Sequence, residues 1–365
     1  MATQPVQNQQ TQAPPIDHER VHRFVETLVN DVGTAMRGGL CYIGDKLGIF
    51  KALADAGKVT ASELAQRTNL NERYLREWLH AMVTAEYVYY DPWSKTYFLP
   101  PEHALALANE DFPFFVGGFM EMIVPTVSMA PRVAEAFRTG KGVPQADYPP
   151  EMFESIERGT MPWYRNKLVQ EWIPTMPSVQ KKLQNGCEAA DTGCGGGLAL
   201  ITMAKAFPKS HFYGFDSHAG SLERARRNAE NAGVADRVKF EVLDCKYLPE
   251  RKFDFVTSFD VIHDSVDPLG VLKSVCKSLR PDGTYLWLEM NCSHEVSENI
   301  NPVGRFLYSV STLYCMTVSL AHEGAGIGAA MGEPKARELA QQAGFSHFRR
   351  LPIDDPFSML YELKT

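Results

Sequence analysis

Three glycines spaced two apart, Gly193, Gly195 and Gly197, stand between the apolar run Cys187–Asp191 and a helix-like stretch that begins near Leu198. Few features constrain a chain more. Without a Cβ, the backbone can turn sharply and lie close against a ligand. A strand that empties into such a turn and then a helix opens a β–α unit. The rest of the C-terminal half repeats the alternation. Candidate strands are Cys187–Asp191, His211–Asp216, Val238–Leu243, Phe253–Phe259, Thr284–Glu289, Phe345–Leu351 and Ser358–Leu363, and helical segments separate most of them. The pattern predicts a Rossmann-like α/β fold: a seven-stranded, mostly parallel sheet with helices on both faces. The last two strands are expected to form an antiparallel hairpin across a short turn.

Ahead of this lies a different organisation. Thr60 and Glu63 have the spacing of a capping box. Leu64 and Leu70 flank a polar turn, and Leu75, Leu79, Met82 and Val83 mark a second helix. Tyr87–Tyr90 and Thr96–Leu99 then bracket Asp91-Pro92-Trp93-Ser94 as a hairpin. Helix, turn, helix, hairpin is the order of a winged helix. We therefore divide the chain into a disordered tail (1–16), a winged-helix-like part (17–101) and a proline-broken helical connector (102–185). The α/β part (186–365) follows, with a helical insertion at 291–332.

Composition narrows the function. The 365 residues carry a net charge of −7, which argues against a protein built to grip phosphate backbones. The seven cysteines form no CxxC pair, which excludes a zinc-knuckle pattern and points to a reduced, cytoplasmic protein. The tail lacks the apolar core of a secretory signal. Phe306–Ala321 is too short and too hydroxyl-rich to span a membrane. No metal is expected: His322 and Glu323, adjacent on a helix, do not face one way.

Asp216 lies nineteen residues beyond Gly197, at the end of the next strand. There a Rossmann-like site sets an acid against ribose hydroxyls, and a carboxylate accepts two hydrogen bonds from a vicinal diol. Asp244 follows the third strand, placed to accept from an adenine amino group. The third glycine of a dinucleotide-binding GxGxxG would fall on Leu198; the pattern is instead DxGxGxG, from Asp191 to Gly197. That resembles motif I of class I S-adenosylmethionine-dependent methyltransferases. "KFDFVTSFDVIHD" resembles their fourth-strand motif, and "LKSVCKSLRPDGTYLWLE" the helix, turn and fifth strand that follow. From about Val21 onward the chain resembles the two-domain small-molecule methyltransferases, whose winged-helix-like domain supports dimerisation.

The resemblance implies S-adenosylmethionine as cofactor. It sets Asp191, Gly193 and Gly195 along the methionine and ribose, with Gly197 completing the turn. Asp216 meets the ribose hydroxyls, Ser217 borders the adenine, and Asp244 with Cys245 meets it. Phe259 and Asp260 lie beside the sulfonium. Tyr164 or Arg165 is placed to close over the methionine carboxylate, because an anion needs a donor.

Methyl transfer is an in-line displacement, so the protein must align the acceptor and deprotonate it. His263 is the candidate base, with Asp264 or Asp267 to orient its ring. Glu289, at the rim of the fifth strand, is a second catalytic candidate that could bind a substrate amine or hydroxyl. A base favours O- over N-methylation of a small acceptor, and the expected assembly is a homodimer through the N-terminal domain. The alternative is a winged-helix transcriptional regulator with a ligand-sensing methyltransferase-like domain. Arg67, Arg73 and Arg76 invite DNA, but Glu63, Glu72 and Glu77 interrupt them.

Overall fold

The computed structural model describes residues 16–365, so all but the last residue of the expected disordered tail lies outside the described residues. Asp17 caps the first helix by accepting from the Arg20 backbone N–H at 3.0 Å. This helix, α1 (His18–Lys46), leads into α2 (Ile49–Ala56), α3 (Ala61–Thr68), α4 (Glu72–Thr84) and the hairpin β1 (Tyr89–Asp91) and β2 (Thr96–Phe98). The Thr60–Glu63 capping box forms at the start of α3, with Glu63 accepting from Thr60 N–H at 2.8 Å. Val59 forms an isolated antiparallel bridge to Tyr97 beside this hairpin. Phe50, Leu53, Leu64, Leu79 and Met82 fill the interior. Trp78 stacks edge-on against Phe50 and donates to Leu40 O at 2.8 Å, which docks the C-terminal part of α1. Among the described residues the earlier part of α1 has no such partner: Phe24, Val25, Leu28, Val29, Val32 and Met36 are exposed.

The connector holds α5 (Pro101–Ala108), α6 (Gly117–Val127), α7 (Ala130–Thr139), α8 (Pro150–Trp163) and α9 (Pro177–Asn185). Proline opens α5, α8 and α9, where its missing N–H costs nothing. Between α8 and α9 the chain winds as a π-helix over Tyr164–Trp172. Arg158 on α8 pairs with Asp45 of α1, with Glu110 at 3.0 Å and with Glu121 of α6 at 3.3 Å. One guanidinium thus fixes α8 against both preceding layers.

The α/β part runs β3 (Glu188–Thr192), α10 (Leu198–Ala206), β4 (His211–Asp216), α11 (Ala219–Asn231), β5 (Val238–Val242), β6 (Phe253–Phe259), α12 (Pro268–Ser278) and β7 (Leu279–Met290). Next come α13 (Pro302–Val310), α14 (Met316–Leu320), α15 (Gly332–Ala343), β8 (His347–Arg350) and β9 (Ser358–Lys364). The sheet order is β5-β4-β3-β6-β7-β9-β8, with β9 antiparallel to both neighbours. Alternate residues of β7 serve opposite faces: Leu286 and Leu288 join one core, Tyr285 and Trp287 the other. The order reverses between β3 and β6, and at such a point an open α/β sheet leaves a crevice at its carboxyl edge.

Two sequence expectations need correction. The Pro281-Asp282-Gly283 turn does not precede the fifth strand. It lies inside β7, and the register against β6 shifts between Phe253 and Phe255 to absorb it. Nor is the turn from β8 to β9 short. Residues 351–357 wrap around Asp355, a buried carboxylate that accepts from the backbone of Phe357 and Ser358 and pairs with Lys167.

Candidate active site

The acids and the imidazole of the site lie at or just past the carboxyl ends of strands. Asp191, next to last in β3, is buried, with Thr257 Oγ1 donating to it at 2.7 Å. Burial pushes its carboxyl up to about 7, opposed by the Thr257 hydrogen bond. The glycine turn follows. Gly193 N–H donates to Phe215 O at 2.7 Å. Its φ is +66°, and a Cβ there would lie 2.6 Å from a methyl of Val261. Gly195 N–H donates to Asp216 Oδ2 at 2.9 Å. Gly197 begins α10 with φ +74° and does not face the cavity, because its missing Cβ makes room for the Phe240 ring. Its role is to fit helix to sheet.

Asp216, at the end of β4, also accepts from His218 N–H at 2.8 Å. A carboxylate has about four lone-pair sites, so two remain for a diol. Ser217, Asp244 and Cys245 border the same end of the cavity. Asp244 starts a short turn by accepting from Lys246 N–H at 3.0 Å. At the end of β6, Phe259 packs under Tyr164 with ring centres 5.3 Å apart. Asp260 follows in a left-handed conformation, φ +57°, uncommon outside glycine. Its Oδ1 is buried with no hydrogen-bond partner among the described residues, and burial holds the carboxyl well above its usual range.

His263 and Glu289 meet across β6 and β7. Imidazole Nδ1 is 2.6 Å from Glu289 Oε2, and Trp287 Nε1 donates to Oε1 at 2.8 Å. Both residues are buried. Burial opposes the charged ring, but the Glu289 carboxylate beside it lifts the imidazole well above its ordinary value. This corrects two expectations. The carboxylate on the ring is Glu289, whereas Asp267 caps α12 by accepting from Gly270 N–H at 2.8 Å. Glu289 in turn is occupied by protein donors rather than turned toward a substrate. Asp260, His263 and Glu289 bring ligating atoms within 4.8 Å of one another. With both Glu289 oxygens engaged, the arrangement acts as a hydrogen-bonded acid–imidazole pair.

One cavity of about 610 Å³ runs from Asp216 and Asp244 past Asp191 and Asp260 to His263. It continues into an apolar chamber walled by Phe119, Met122, Phe306, Leu307 and Val310. Tyr164 lines it; Arg165 does not. The Arg165 side chain is half exposed and pairs with Asp111 at 2.8 Å on the outer side of the π-helical turn. Sequence reasoning missed Trp287, Tyr314 and Cys315. Trp287 was within reach, because residues two apart on a strand share a face. Nothing in the sequence announces the π-turn that brings Tyr314 and Cys315 to the cavity.

The geometry suits an adenosyl ligand with a cationic centre. The glycine turn leaves open space beside Gly195, Asp216 keeps acceptor capacity, and Asp260 offers an unsatisfied oxygen. Residues 36–109 match the family model of an Rv2258c-like winged HTH domain, and residues 183–344 that of a methyltransferase domain. A ubiquinone biosynthesis O-methyltransferase of Neisseria meningitidis is 33% identical over 112 residues, 29% of this chain and 45% of that protein. The chain thus aligns with less than half the length of that relative. An O-methyltransferase family protein from Burkholderia thailandensis superposes with TM-score 0.67 at 15% identity, over 93% of this chain and 98% of the other. Human N-acetylserotonin methyltransferase, solved in complex with S-adenosylmethionine, gives 0.63 at 17% identity, over 93% and 97%.

Proposed function

We propose that this chain, a class I methyltransferase fold behind an Rv2258c-like winged HTH domain, transfers the methyl group of S-adenosylmethionine to a hydroxyl of a small, largely apolar acceptor. One observation carries the reading: a single cavity joins the glycine turn and Asp216 to the His263–Glu289 pair and then to an aromatic and aliphatic chamber. When bound, the cofactor supplies an activated methyl group on a sulfonium. Everything else falls to the chain. Asp216 holds the ribose hydroxyls, while Asp244 and Cys245 border the adenine. Asp191, Asp260 and Tyr164 surround the methionine portion, and the two carboxyls favour a cationic centre.

The acceptor lies among Phe119, Met122 and Leu307 with its hydroxyl toward His263. Glu289 keeps the Nδ1 proton in place, so Nε2 is the atom that exchanges a proton with the acceptor. Apolar walls exclude water and hold the acceptor in line. The second half of the reading is a homodimer, supported by the exposed apolar face of α1. A regulator's DNA surface is less well supported, because Arg73 and Arg76 pair with Glu77 and Glu72 on their own helix.

The test is mass spectrometry of a panel of phenols and enols incubated with protein and S-adenosylmethionine. A methyl ether formed by the wild type and lost in His263→Gln supports the reading. Equal yield from both proteins overturns the base, and exclusive N-methylation of added amines overturns the acceptor class.

A further inference from the structure

The acceptor chamber holds a polar station among its apolar walls. Tyr314, in the π-helical turn Ser311–Cys315 between α13 and α14, belongs to the same buried cluster as Met122 and Leu307. Its ring packs edge-on against Tyr148, with ring centres 5.0 Å apart. The Tyr148 hydroxyl donates to Leu313 O, which ties the connector to the insertion after β7. Gln145 Nε2 donates to the Tyr314 hydroxyl at 3.1 Å. Gln145 is brought there by its own loop: Val143 N–H donates to Thr317 O at 3.1 Å and to Thr317 Oγ1 at 3.0 Å. Gln145 and Tyr314 both line the cavity. The insertion is in turn registered on the segment that carries His263. Gly328 N–H donates to His263 O at 3.1 Å, and Ser319 Oγ to Ser265 O at 2.8 Å. Imidazole and phenol thus stand on one connected frame.

The Tyr314 oxygen accepts from Gln145, and its own hydrogen has no acceptor among the described residues. Turning the amide over reverses the roles and frees an amide hydrogen instead, so the pair keeps an unused donor either way. Tyr314 is 6% exposed, and a buried donor without a partner is costly. A ligand that supplies an acceptor atom removes that cost. Burial holds the phenol well above its usual range, so it stays protonated. Charge selects the kind of acceptor atom. Asp191, Asp260 and Asp264 line the cavity, and the one lysine among the lining residues, Lys246, stands 3.5 Å from Asp244 at the adenine end. A carboxylate buried in the chamber would have no protein cation to pair with; a carbonyl needs none. We propose that the Gln145–Tyr314 pair determines acceptor specificity by donating its unused hydrogen to a neutral carbonyl. The acceptor class is then a phenol or enol that carries a ketone or quinone carbonyl on the same skeleton. The inference rests on the reading of this chamber as the acceptor site. It adds a second point of attachment beside His263, and two points orient an acceptor for in-line displacement.

The experiment measures binding to the full-length protein by calorimetry in the presence of S-adenosylhomocysteine. The probes are hydroxytetralones, which fix a phenol and a ketone at different separations on one rigid bicycle. Each is matched with the tetrahydronaphthol of the same hydroxyl position, in which a methylene replaces the carbonyl. In the wild type at least one ketone should bind at least about fivefold more tightly than its match. Tyr314→Phe, which removes one oxygen, should cut that preference to less than about twofold by weakening the ketone alone. Gln145→Leu should lower it in the same direction and serves if the phenylalanine variant does not fold. Wild type that binds no hydroxytetralone, equal binding within every matched pair, or a preference that both variants retain overturns the proposal. No methyl transfer is needed, so the two readings fail separately. Equal binding within the pairs removes the specificity role and leaves methyl transfer; methylation that is indifferent to His263→Gln removes the base and leaves the preference.

Discussion

Glu289 sets one carboxylate oxygen 2.6 Å from Nδ1 of His263 and the other 2.8 Å from Nε1 of Trp287. A base held this way has one free nitrogen and a fixed ring plane. Glu289→Gln keeps the shape and removes the charge. Turnover should fall about 100-fold, the lower range of what a positioned base contributes, with cofactor affinity unchanged by calorimetry. A matching loss of cofactor affinity would show that Glu289 serves the cofactor instead.

Buried acids give the apoprotein a definite pH dependence. The carboxyl of Asp191 is raised from 3.8 to about 7 by burial. The folded state therefore holds a proton that the unfolded chain releases first. Its contribution is complete below about pH 4 and is lost as pH rises through about 7, by at most about 4 kcal/mol. The raised His263 has the same sign: its contribution is complete below about pH 6.5 and is lost as pH rises through its folded value. Urea unfolding at pH 5 and pH 8 should show the wild type weaker at pH 8. Asp191→Asn should narrow that gap; an unchanged gap contradicts the assignment.

Gly197→Ala and Gly195→Ala should fail differently. At Gly197 an added Cβ would lie 2.6 Å from the Phe240 ring at φ +74°, whereas at Gly195 it meets open space at φ +50°. The first should cost at least about 2 kcal/mol in thermal unfolding, from strain and overpacking together. The second should cost less stability and mainly weaken cofactor binding, because the new methyl enters the cavity. Equal stability losses would remove the distinction between a packing glycine and a lining one.

The apolar face of α1 bears on assembly. Phe24, Val29, Val32 and Met36 are each at least 60% exposed, a patch that monomeric proteins seldom leave bare. Leu28→Glu with Val32→Glu should shift the protein from dimer to monomer in sedimentation velocity. A wild type that sediments as a monomer contradicts the dimer outright.

The framework was legible because its signals are local. Seven strands, the capping box and the wing hairpin each follow from periodicity or from a residue's own chemistry. The glycine turn and Asp216 lie on adjoining strands, so their meeting follows from the β–α–β unit. The Glu289–His263 contact was half legible. Both residues were marked, but their pairing depends on the register of β6 against β7, which short-range pattern does not set. Arg165 was misplaced because a π-helical turn rotates its side chain outward to Asp111. Cys315 was missed for the mirror reason: a second π-turn rotates it inward. Helical periodicity assumes 3.6 residues per turn, and it fails where the winding changes.

The most direct test of the account is isothermal titration of the wild type and Asp216→Ala with S-adenosylmethionine and S-adenosylhomocysteine, with NAD as control. The account predicts micromolar binding of the first two to the wild type, at least about tenfold weaker binding to the variant through loss of the diol's charged acceptor, and no binding of NAD. Silence of the wild type with both adenosyl ligands, or preference for NAD, would contradict it.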